Sequence, residues 1–428
     1  MIRLRCSVQQ YKWGKLGRSS EVAQLYASMC ADPETAIDEE TPYAELWMGT
    51  HPSGPSYVKG NDGADEATLK SRIESDAASA LGEACLARFG ADLPFLFKVL
   101  SVRTALSIQA HPNKDLARQL HAERPHVYKD PNHKPEMTVA LTPFEALCQF
   151  RSAAEVRAHI TDVPEFAECV GDAETCKRLC AALLSDHPPA GAAAAALREA
   201  FANVMTRDAE TVSALLLRLI ARLEKKGPSR SAAEDLALRL HAQYPGDVGV
   251  FASFFLNFVS LAPGESIALE ANEPHAYLAG DCVEVMATSD NVVRAGLTPK
   301  LRDTGVLCDM LTYKMGPPTV GKGEPVSLSR GGSPATSMRA YVPPFAEFQM
   351  NVLAVGAGEA AGVGHLKGPL VVLVHAGACR LAVGGREDAA KKGDVFFAPS
   401  GTGLLDVQEE GGAGCTLFVA SLNQAACF

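Results

Sequence analysis

Three short segments of the chain each carry two polar residues, two positions apart, in an otherwise apolar setting. The pairs are Gln109 with His111, Lys134 with Glu136, and His275 with Tyr277. Because alternate residues of a β-strand point to the same face, each pair would present both side chains together. Gln109, His111, Glu136 and His275 offer nitrogen and oxygen ligands for one divalent ion, and a position left to water would make such a site catalytic. A metal with a free position can polarise a carbonyl group or stabilise an enediolate.

Length and composition limit the class of protein. The chain has 428 residues, 47% of them hydrophobic and 21% charged, so two or three folded domains are expected. The net charge of −10 argues against nucleic-acid binding but allows a local basic pocket for one phosphate. No segment approaches the roughly 20 apolar residues of a membrane span, and residues 1–7 lack an apolar signal segment. The twelve scattered cysteines predict reduced thiols. We expect a cytoplasmic monomer.

Strand-like segments occur on both sides of a helical segment. Those with the length and apolar pattern of strands include 93–100, 106–111, 136–141, 267–270 and 281–286. Residues 316–337 are rich in Gly, Pro and Ser and predict a linker, after which strand-like segments return.

The segment 151–245 has the pattern of helices. Apolar residues recur every three or four positions in 174–184, 192–204 and 210–223, and Ser231 with Glu234 forms a capping-box pattern at the start of a further helix. The sequence therefore predicts a mainly β fold of two cupin-type jelly-roll barrels with an inserted all-α helical domain. The expected domains are a catalytic one at 1–150 with 246–315, the insertion at 151–245, and a linker with a C-terminal barrel at 316–428.

Several longer motifs resemble those of one enzyme family. They are YKWGKLG at 11–17, ELWMGTHPSGP at 45–55, LPFLFKVLSVRTALSIQAHPNK at 93–114, DPNHKPEM at 130–137, EPHAYLAGDCVEVMATSDNVVRAGLTPK at 273–300 and KKGDVFFAPSGT at 391–402. These motifs span most of the chain in family order, and the chain resembles the type I phosphomannose isomerases. The helical insertion and the final domain match that family in character more than in motif.

The resemblance implies a cupin fold and a zinc-dependent, reversible interconversion of mannose 6-phosphate and fructose 6-phosphate, with one zinc ion per chain. The zinc ligands that it implies are Gln109, His111, Glu136 and His275. The resemblance matches Arg294 to an arginine that is essential in the family. It also implies that five further residues occupy positions in the substrate pocket: Ser107, Lys134, Tyr277, Glu284 and Lys300. Trp13 is assigned to the substrate pocket as well, with packing in the core as the alternative. The expected metabolic role is to supply GDP-mannose and glycan synthesis.

An aldose–ketose exchange moves one proton between C1 and C2 through an enediol, so the enzyme needs a base and a group that stabilises negative charge. The residues leave three candidates for the base. Glu284 lies between Val283 and Val285, where burial would raise the pKa of its carboxylate. Lys134 lies beside a metal ligand, and His133 carries an imidazole, which exchanges protons near neutral pH. Glu284 and Lys134 are favoured over His133.

The phosphate group of such a substrate needs cations. Arg294 and Lys300 lie six residues apart around a Gly-Leu-Thr-Pro turn, a spacing that lets both face one anion. Arginine binds phosphate in a bidentate manner and lysine acts as a point charge. The alternative is that Arg294 stabilises the enediolate, and the sequence leaves both roles open.

Two other functions are compatible with a cupin fold. One is a protein that binds a sugar without chemistry. The other is an iron-dependent cupin oxygenase, although Gln109 stands where that class usually has a histidine.

Overall fold

The computed structural model describes residues 1–30, 37–60, 65–184, 191–364 and 366–428. Strands dominate the first 150 residues: β1 (Ile2–Arg5), β2 (Ser7–Gln9), β3 (Lys15–Leu16), β4 (Pro42–Tyr43), β5 (Glu45–Met48), β6 (Tyr57–Lys59), β7 (Asp65–Thr68), β8 (Phe95–Val102), β9 (Ile108–Ala110), β10 (Glu136–Ala140) and β11 (Phe144–Phe150). The helices of this part are α1 (Glu21–Met29), α2 (Leu69–Glu74), α3 (Ala77–Leu81), α4 (Glu83–Phe89) and α5 (Lys114–Glu123), with a 3-10 turn at Gly17–Ser19.

The helical segment follows directly. It contains α6 (Ala153–Asp162), α7 (Pro164–Val170), α8 (Ala173–Leu184), α9 (Ala192–Met205), α10 (Ala209–Lys226) and α11 (Ala232–Gln243), with 3-10 helices at Gly227–Ser229 and Val248–Phe254. The predicted capping box is present, since Ser231 accepts from the Glu234 N–H and Glu234 accepts from the Ser231 N–H. In α10, buried leucines and a valine recur at the helical period, which turns one face of that helix to the core.

The remaining elements are strands with two short helices. They are β12 (Leu256–Leu261), β13 (Ser266–Leu269), β14 (His275–Ala287), β15 (Val293–Gly296), α12 (Thr304–Met310), β16 (Glu324–Val326), β17 (Ser337–Tyr341), β18 (Gln349–Val355), β19 (Ala360–Val363), β20 (Leu370–Ala376), β21 (Ala378–Val383), β22 (Arg386–Lys391), β23 (Val395–Ala398), β24 (Leu405–Glu409), β25 (Cys415–Ser421) and α13 (Gln424–Cys427). The predicted linker at 316–337 therefore contains a strand, because β16 pairs with β17 at the edge of a sheet.

One sheet carries the candidate site. Its strand order is β12-β11-β14-β8-β5-β2, and β14 also pairs with β10 and β9, which pair in turn with β13 and β15. The 13-residue strand β14 is the centre of this arrangement. All eight residues of its neighbour β8 are buried, as expected for an apolar strand with both faces covered.

A second sheet joins the two ends of the chain. Its order is β16-β17-β18-β25-β20-β23-β1-β6-β7, and Ile2 of β1 lies opposite Phe397 of β23. A four-stranded sheet, β19-β24-β21-β22, packs with it over an apolar core. The N-terminal strand thus continues the sheet of the C-terminal region, a long-range pairing that no local pattern encodes.

The expectation of a mainly β protein is corrected by the helical content. Helices account for 33% of the chain and strands for 31%, so the fold mixes the two in comparable amounts. The strand orders of the two large sheets run from one edge strand to another, so neither sheet closes into a barrel within the described residues.

The helical segment packs directly behind the site. Ile108 and Ala110 of β9, and Val293 and Ala295 of β15, belong to the same buried cluster as the core of the helices. Because side chains alternate along a strand, Gln109 and Arg294 point away from that cluster. The insertion therefore fixes the two short strands from which these residues project.

Candidate active site

Three buried side chains of the site sheet converge. The ligand atoms of His111, Glu136 and His275 all lie within 4.8 Å of one another. His111 Nε2 is 3.4 Å from Glu136 Oε1, and His275 Nε2 is 3.3 Å from Glu136 Oε2. Each residue is no more than 2% exposed, so the cluster is held away from bulk water. This is the geometry of a set of side chains that could bind one metal ion.

The backbone orients both imidazole rings. His111 Nδ1 lies 2.7 Å from the carbonyl oxygen of Asn291, and His275 Nδ1 lies 3.2 Å from that of Glu273. A carbonyl oxygen needs a donor, so Nδ1 carries the proton in each ring and Nε2 keeps its lone pair. Partners of this kind fix the tautomer of metal-binding histidines.

The cluster leaves three buried polar atoms without a partner among the described residues. They are His111 Nε2, His275 Nε2 and Glu136 Oε2. Buried polar atoms are nearly always satisfied, so three that converge need a further group. A divalent cation fits these donors because neutral imidazole nitrogens and a carboxylate oxygen are zinc ligands.

The charge state of the cluster suits a cation as well. Burial lowers the pKa of His111 to about 4, which leaves its ring neutral at pH 7. Burial acts to raise the pKa of Glu136, but the nearby charge of Lys134 holds it well below its usual value. Glu136 is therefore a carboxylate, with Lys134 Nζ 2.7 Å from its Oε1.

Gln109 lies next to this cluster. It is directly opposite His275 across the β9–β14 pair and directly opposite Arg294 across the β9–β15 pair. Directly opposed residues of an antiparallel pair project to the same face. The alternation that the sequence suggested for Gln109 and His111 thus places Gln109 between a candidate metal ligand and a candidate substrate-binding cation.

A cavity of about 550 Å³ opens beside the cluster. Among the predicted site residues it is lined by Trp13, Ser107, Gln109, Lys134, Arg294 and Lys300. Lys98 and Lys129 line it too, and the lining also includes two carboxylates, Glu45 and Asp290. Five Lys and Arg side chains thus face two acidic ones in a protein of net charge −10. A basic cavity in an acidic protein favours an anionic ligand of small size.

Arg294 is available to such a ligand. Its side chain is half-buried, and no described residue offers its guanidinium a hydrogen bond or an ion pair. Burial lowers the pKa of its guanidinium, which nevertheless stays charged near neutral pH. An arginine held in a cavity without a carboxylate partner is poised to bind an anion.

The turn that carries Lys300 is held by the end of the helical segment. Asp247 Oδ1 accepts from the N–H of Leu297 at 2.7 Å, and its Oδ2 accepts from that of Thr298 at 3.1 Å. These bonds support the left-handed conformation of Leu297, whose φ is 55°. Tyr244 lines the cavity and donates to the carbonyl oxygen of Ala105 at 2.6 Å. The helical insertion thus contributes to the wall of the cavity.

Glu284 and Tyr277 lie below the cavity rather than on its surface. The Tyr277 hydroxyl donates to Glu284 Oε1 at 2.9 Å, and Lys98 Nζ lies 3.1 Å from Glu284 Oε2. Burial raises the pKa of Glu284, as the sequence predicted, while the charge of Lys98 acts against that rise. Both oxygens of Glu284 are engaged, and neither Glu284 nor Tyr277 is among the residues that line the cavity.

His133 points away from the cavity. Its Nε2 lies 2.7 Å from Glu347 Oε1, a residue of the C-terminal region, and His133 is not among the cavity-lining residues. The sequence offered His133 and Lys134 as alternative bases, and of these two Lys134 is the one that lines the cavity.

Sequence reasoning missed a buried charge cluster in the floor of the cavity. Lys98 Nζ lies 3.1 Å from Glu284 and 3.6 Å from Glu45 Oε2, and it sits 5.0 Å from the centre of the Trp47 ring. The Trp47 indole N–H also donates to Glu45. One signal was available: Lys98 is the single charge in the apolar run Phe95–Val102, and a buried charge requires a partner.

Comparison with known proteins agrees with this geometry. A family model described as phosphomannose isomerase type I, catalytic domain, matches residues 1–153, and one described as the helical insertion domain of that family matches residues 173–256. Mannose-6-phosphate isomerase 1 of Arabidopsis thaliana is 43% identical over 100% of this chain and 95% of its own length. The mannose-6-phosphate isomerase of Bos taurus is 50% identical over 73% of each chain.

Solved structures match over nearly the whole chain. A point mutant of phosphomannose isomerase from Salmonella typhimurium superimposes with a TM-score of 0.80 at 30% identity, covering 99% of this chain and 100% of the other. A zinc-bound mannose 6-phosphate isomerase gives a TM-score of 0.79 at 30% identity, covering 99% of both chains. Identity at this level over both full lengths, together with the buried His-Glu-His cluster, shows that the chain belongs to the type I phosphomannose isomerase family.

Proposed function

We propose that this protein is a zinc-dependent isomerase that interconverts D-mannose 6-phosphate and D-fructose 6-phosphate. The observation that carries the proposal is the convergence of three buried, unpartnered ligand atoms beside a cavity lined by cations. The names of the relatives and the zinc-bound homologous structure support the same reaction.

One zinc ion per chain would be held by His111, Glu136 and His275, with Gln109 as a further ligand from the adjacent strand. When bound, zinc supplies stabilisation of the negative charge that develops on the substrate oxygens during enolisation. The protein contributes the geometry, because the Asn291 and Glu273 carbonyl groups fix the orientation of both imidazole rings.

The proton transfer between C1 and C2 is assigned here to Lys134. Of the three candidate bases, Lys134 is the one that lines the cavity, and a base must lie within hydrogen-bond reach of the proton that it removes. Once the amine has given up its own extra proton, it would remove the proton at C2 and return it at C1, while the hydroxyl proton of O2 passes to O1. The engaged carboxylate of Glu284 would serve to hold Lys98 and Tyr277, and His133 would act on the loop that carries Lys134.

The phosphate end of the substrate is assigned to Ser107, Arg294 and Lys300. All three line the cavity, and the Asp247 contacts hold the turn that contains Lys300. Arg294 also lies opposite Gln109, which in turn lies opposite the candidate metal ligand His275. Its second candidate role, stabilising the enediolate, follows from that position.

We also propose the architecture and setting in finer terms. The site region would be a cupin-type jelly roll formed by 1–150 with 246–315 and interrupted by the helical insertion at 151–245. A linker and a second jelly roll of the same type would form 316–428. The protein would act as a cytoplasmic monomer, and its product would feed GDP-mannose and glycan synthesis. Within the described residues, no helix has both the length and the apolar character needed to cross a bilayer.

A coupled assay tests the central proposal. Purified protein should form fructose 6-phosphate from mannose 6-phosphate, lose that activity when a chelator removes zinc, and regain it when zinc is restored. Elemental analysis of the same preparation should give one zinc per chain. Folded, zinc-loaded protein that fails to exchange the two hexose phosphates would exclude the assignment.

A further inference from the structure

A single carboxylate of the C-terminal region contacts two chain segments that lie next to metal-cluster residues. Glu347 lies between β17 and β18 and is 6% exposed. Its Oε1 lies 2.7 Å from His133 Nε2 and 3.9 Å from Lys114 Nζ. His133 precedes Glu136 by three residues, and Lys114 follows His111 by three. Glu347 therefore contacts two separate chain segments, one leading to Glu136 and the other following His111.

The loop that contains His133 is fixed on its other side by a separate network. Ser289 Oγ donates to Asp130 Oδ1 at 2.8 Å, and the Asn291 side-chain amide donates to the carbonyl oxygen of Asn132 at 2.9 Å. The Asn132 side chain donates to the carbonyl oxygen of Thr288 at 3.0 Å. These bonds reach residue 132, and the backbone is bonded again at Pro135, whose carbonyl oxygen accepts from the Ala287 N–H at 3.1 Å. Among the described residues, Glu347 is the hydrogen-bond partner of the next side chain along, His133.

Glu347 stands on a rigid support. The Asn423 side-chain amide donates to the carbonyl oxygens of Pro343 at 2.9 Å and Phe345 at 2.7 Å, which fixes the turn before Glu347. Phe348 is fully buried in a core that the N-terminal and C-terminal strands share. A carboxylate anchored in this way can hold a loop in place without moving with it.

We propose that Glu347 is a positioning residue of the active site. By holding the His133 ring it fixes the backbone from which Lys134 projects, and so sets the reach of the Lys134 amine beside Glu136. The C-terminal region would then contribute to the reaction as well as to the fold. Displacement of a reacting group by about 1 Å can cost up to about 100-fold in rate, so such control is consequential. This inference rests on the isomerase function proposed above.

The test compares three substitutions at Glu347 with a matched control. Glu347→Ala removes the acceptor, Glu347→Asp keeps the charge but withdraws it by one methylene, and Glu347→Gln keeps an oxygen that can accept from His133. The control is Glu409→Ala, because Glu409 is also buried in the C-terminal region but accepts from the N–H groups of Gly358 and Ala413, away from the site. Steady-state kinetics, thermal unfolding and zinc affinity by chelator competition are measured for each protein.

The expected result is a specific loss of kcat. Glu347→Ala and Glu347→Asp should lower kcat by about 10-fold or more, with a smaller change in KM, and Glu347→Gln should recover most of the loss. Zinc affinity should stay within about 3-fold of the wild type, since the two histidine ligands keep their own backbone partners. Glu409→Ala should lower the melting temperature with kcat unchanged. If Glu347→Ala does not fold, the kcat of Glu347→Asp is compared with that of Glu347→Gln, and the same difference is expected.

A double-mutant cycle with His133 completes the design. If Glu347 acts through His133, adding Glu347→Ala to His133→Ala should cause no further loss of kcat. Three results would each overturn the positioning role while leaving the isomerase assignment intact. They are a kcat for Glu347→Asp within 2-fold of wild type, additive losses of kcat in the cycle, and a loss of kcat in Glu409→Ala equal to that in Glu347→Ala. A zinc-loaded wild type without activity would instead remove the isomerase function and this inference with it.

Discussion

Lys98 Nζ lies 3.1 Å from Glu284 Oε2, and the two residues are directly opposite across β8 and β14. Burial acts to lower the pKa of Lys98, but the charges of Glu45 and Glu284 outweigh it and raise that pKa above the usual value. The lysine is therefore a permanent cation beneath the cavity. It compensates two buried carboxylates and limits the freedom of Glu284 to act as a base.

Replacing Lys98 should destabilise the protein strongly. Lys98→Met leaves Glu45 and Glu284 buried without their cation, and loss of one partner of a buried ion pair costs about 3–5 kcal/mol. Chemical denaturation of the metal-loaded protein measures this. The control is Lys70→Met, which removes an exposed pair with Asp92 and should cost less than about 1 kcal/mol. A Lys98→Met protein as stable as the control would show that the carboxylates do not both carry charge.

Removing either histidine of the cluster should release zinc. His111→Ala and His275→Ala each delete one ligand atom, and loss of several kcal/mol of charge stabilisation corresponds to a rate reduction on the order of 10²–10³-fold or more. Zinc content by elemental analysis and the circular dichroism spectrum are compared with those of His121→Ala. His121 bonds the carbonyl oxygen of Tyr128, away from the cluster. Full zinc occupancy in both cluster variants would contradict the assigned ligands.

Substitution of Arg294 should separate its two candidate roles. Arg294→Ala is expected to lower kcat/KM by about 100-fold, because a charge-assisted contact in a buried cavity is lost. An effect mainly on KM indicates phosphate binding, whereas an effect mainly on kcat indicates stabilisation of the enediolate. Arg294→Lys should restore little, since lysine lacks the planar, bidentate geometry. The same kinetic constants are measured for Lys300→Ala, which removes a cation at the exposed edge of the cavity. Unchanged kinetics in Arg294→Ala would exclude both roles.

The helical segment should lose stability as the pH falls below neutrality. Burial lowers the pKa of His159, whose Nδ1 lies 2.9 Å from the carbonyl oxygen of Phe254. Its unfolded pKa is about 6.5, so as the pH drops through this value towards the lower folded pKa the unfolded state binds more protons and stability decreases. Melting temperatures from pH 7.5 to pH 5 in saturating zinc should fall less steeply for His159→Gln than for the wild type. Identical slopes would show that His159 does not titrate differently on unfolding.

The sequence determined the elements whose signals are local. The apolar period and the capping box located α8 to α11 within a few residues, since helix formation depends on contacts three and four positions apart. The alternation of polar and apolar residues located β10 and the start of β14, and with them the side chains of Glu136 and His275. The family resemblance then grouped those side chains with His111, and the structure brings these three together.

The tertiary structure alone decided which distant residues become neighbours. The residues around Lys98 in the sequence do not indicate that it pairs with Glu45 and Glu284. In the same way, the residues around His133 do not indicate its contact with Glu347, and those around Ile2 do not indicate its pairing with Phe397. Each of these contacts depends on strand order and register, and a shift of one residue would turn every side chain of a strand to the other face. Local sequence patterns determine whether a segment forms a helix or a strand. Burial of the shared core determines where that helix or strand packs, and this packing sets the surroundings of the proposed catalytic groups.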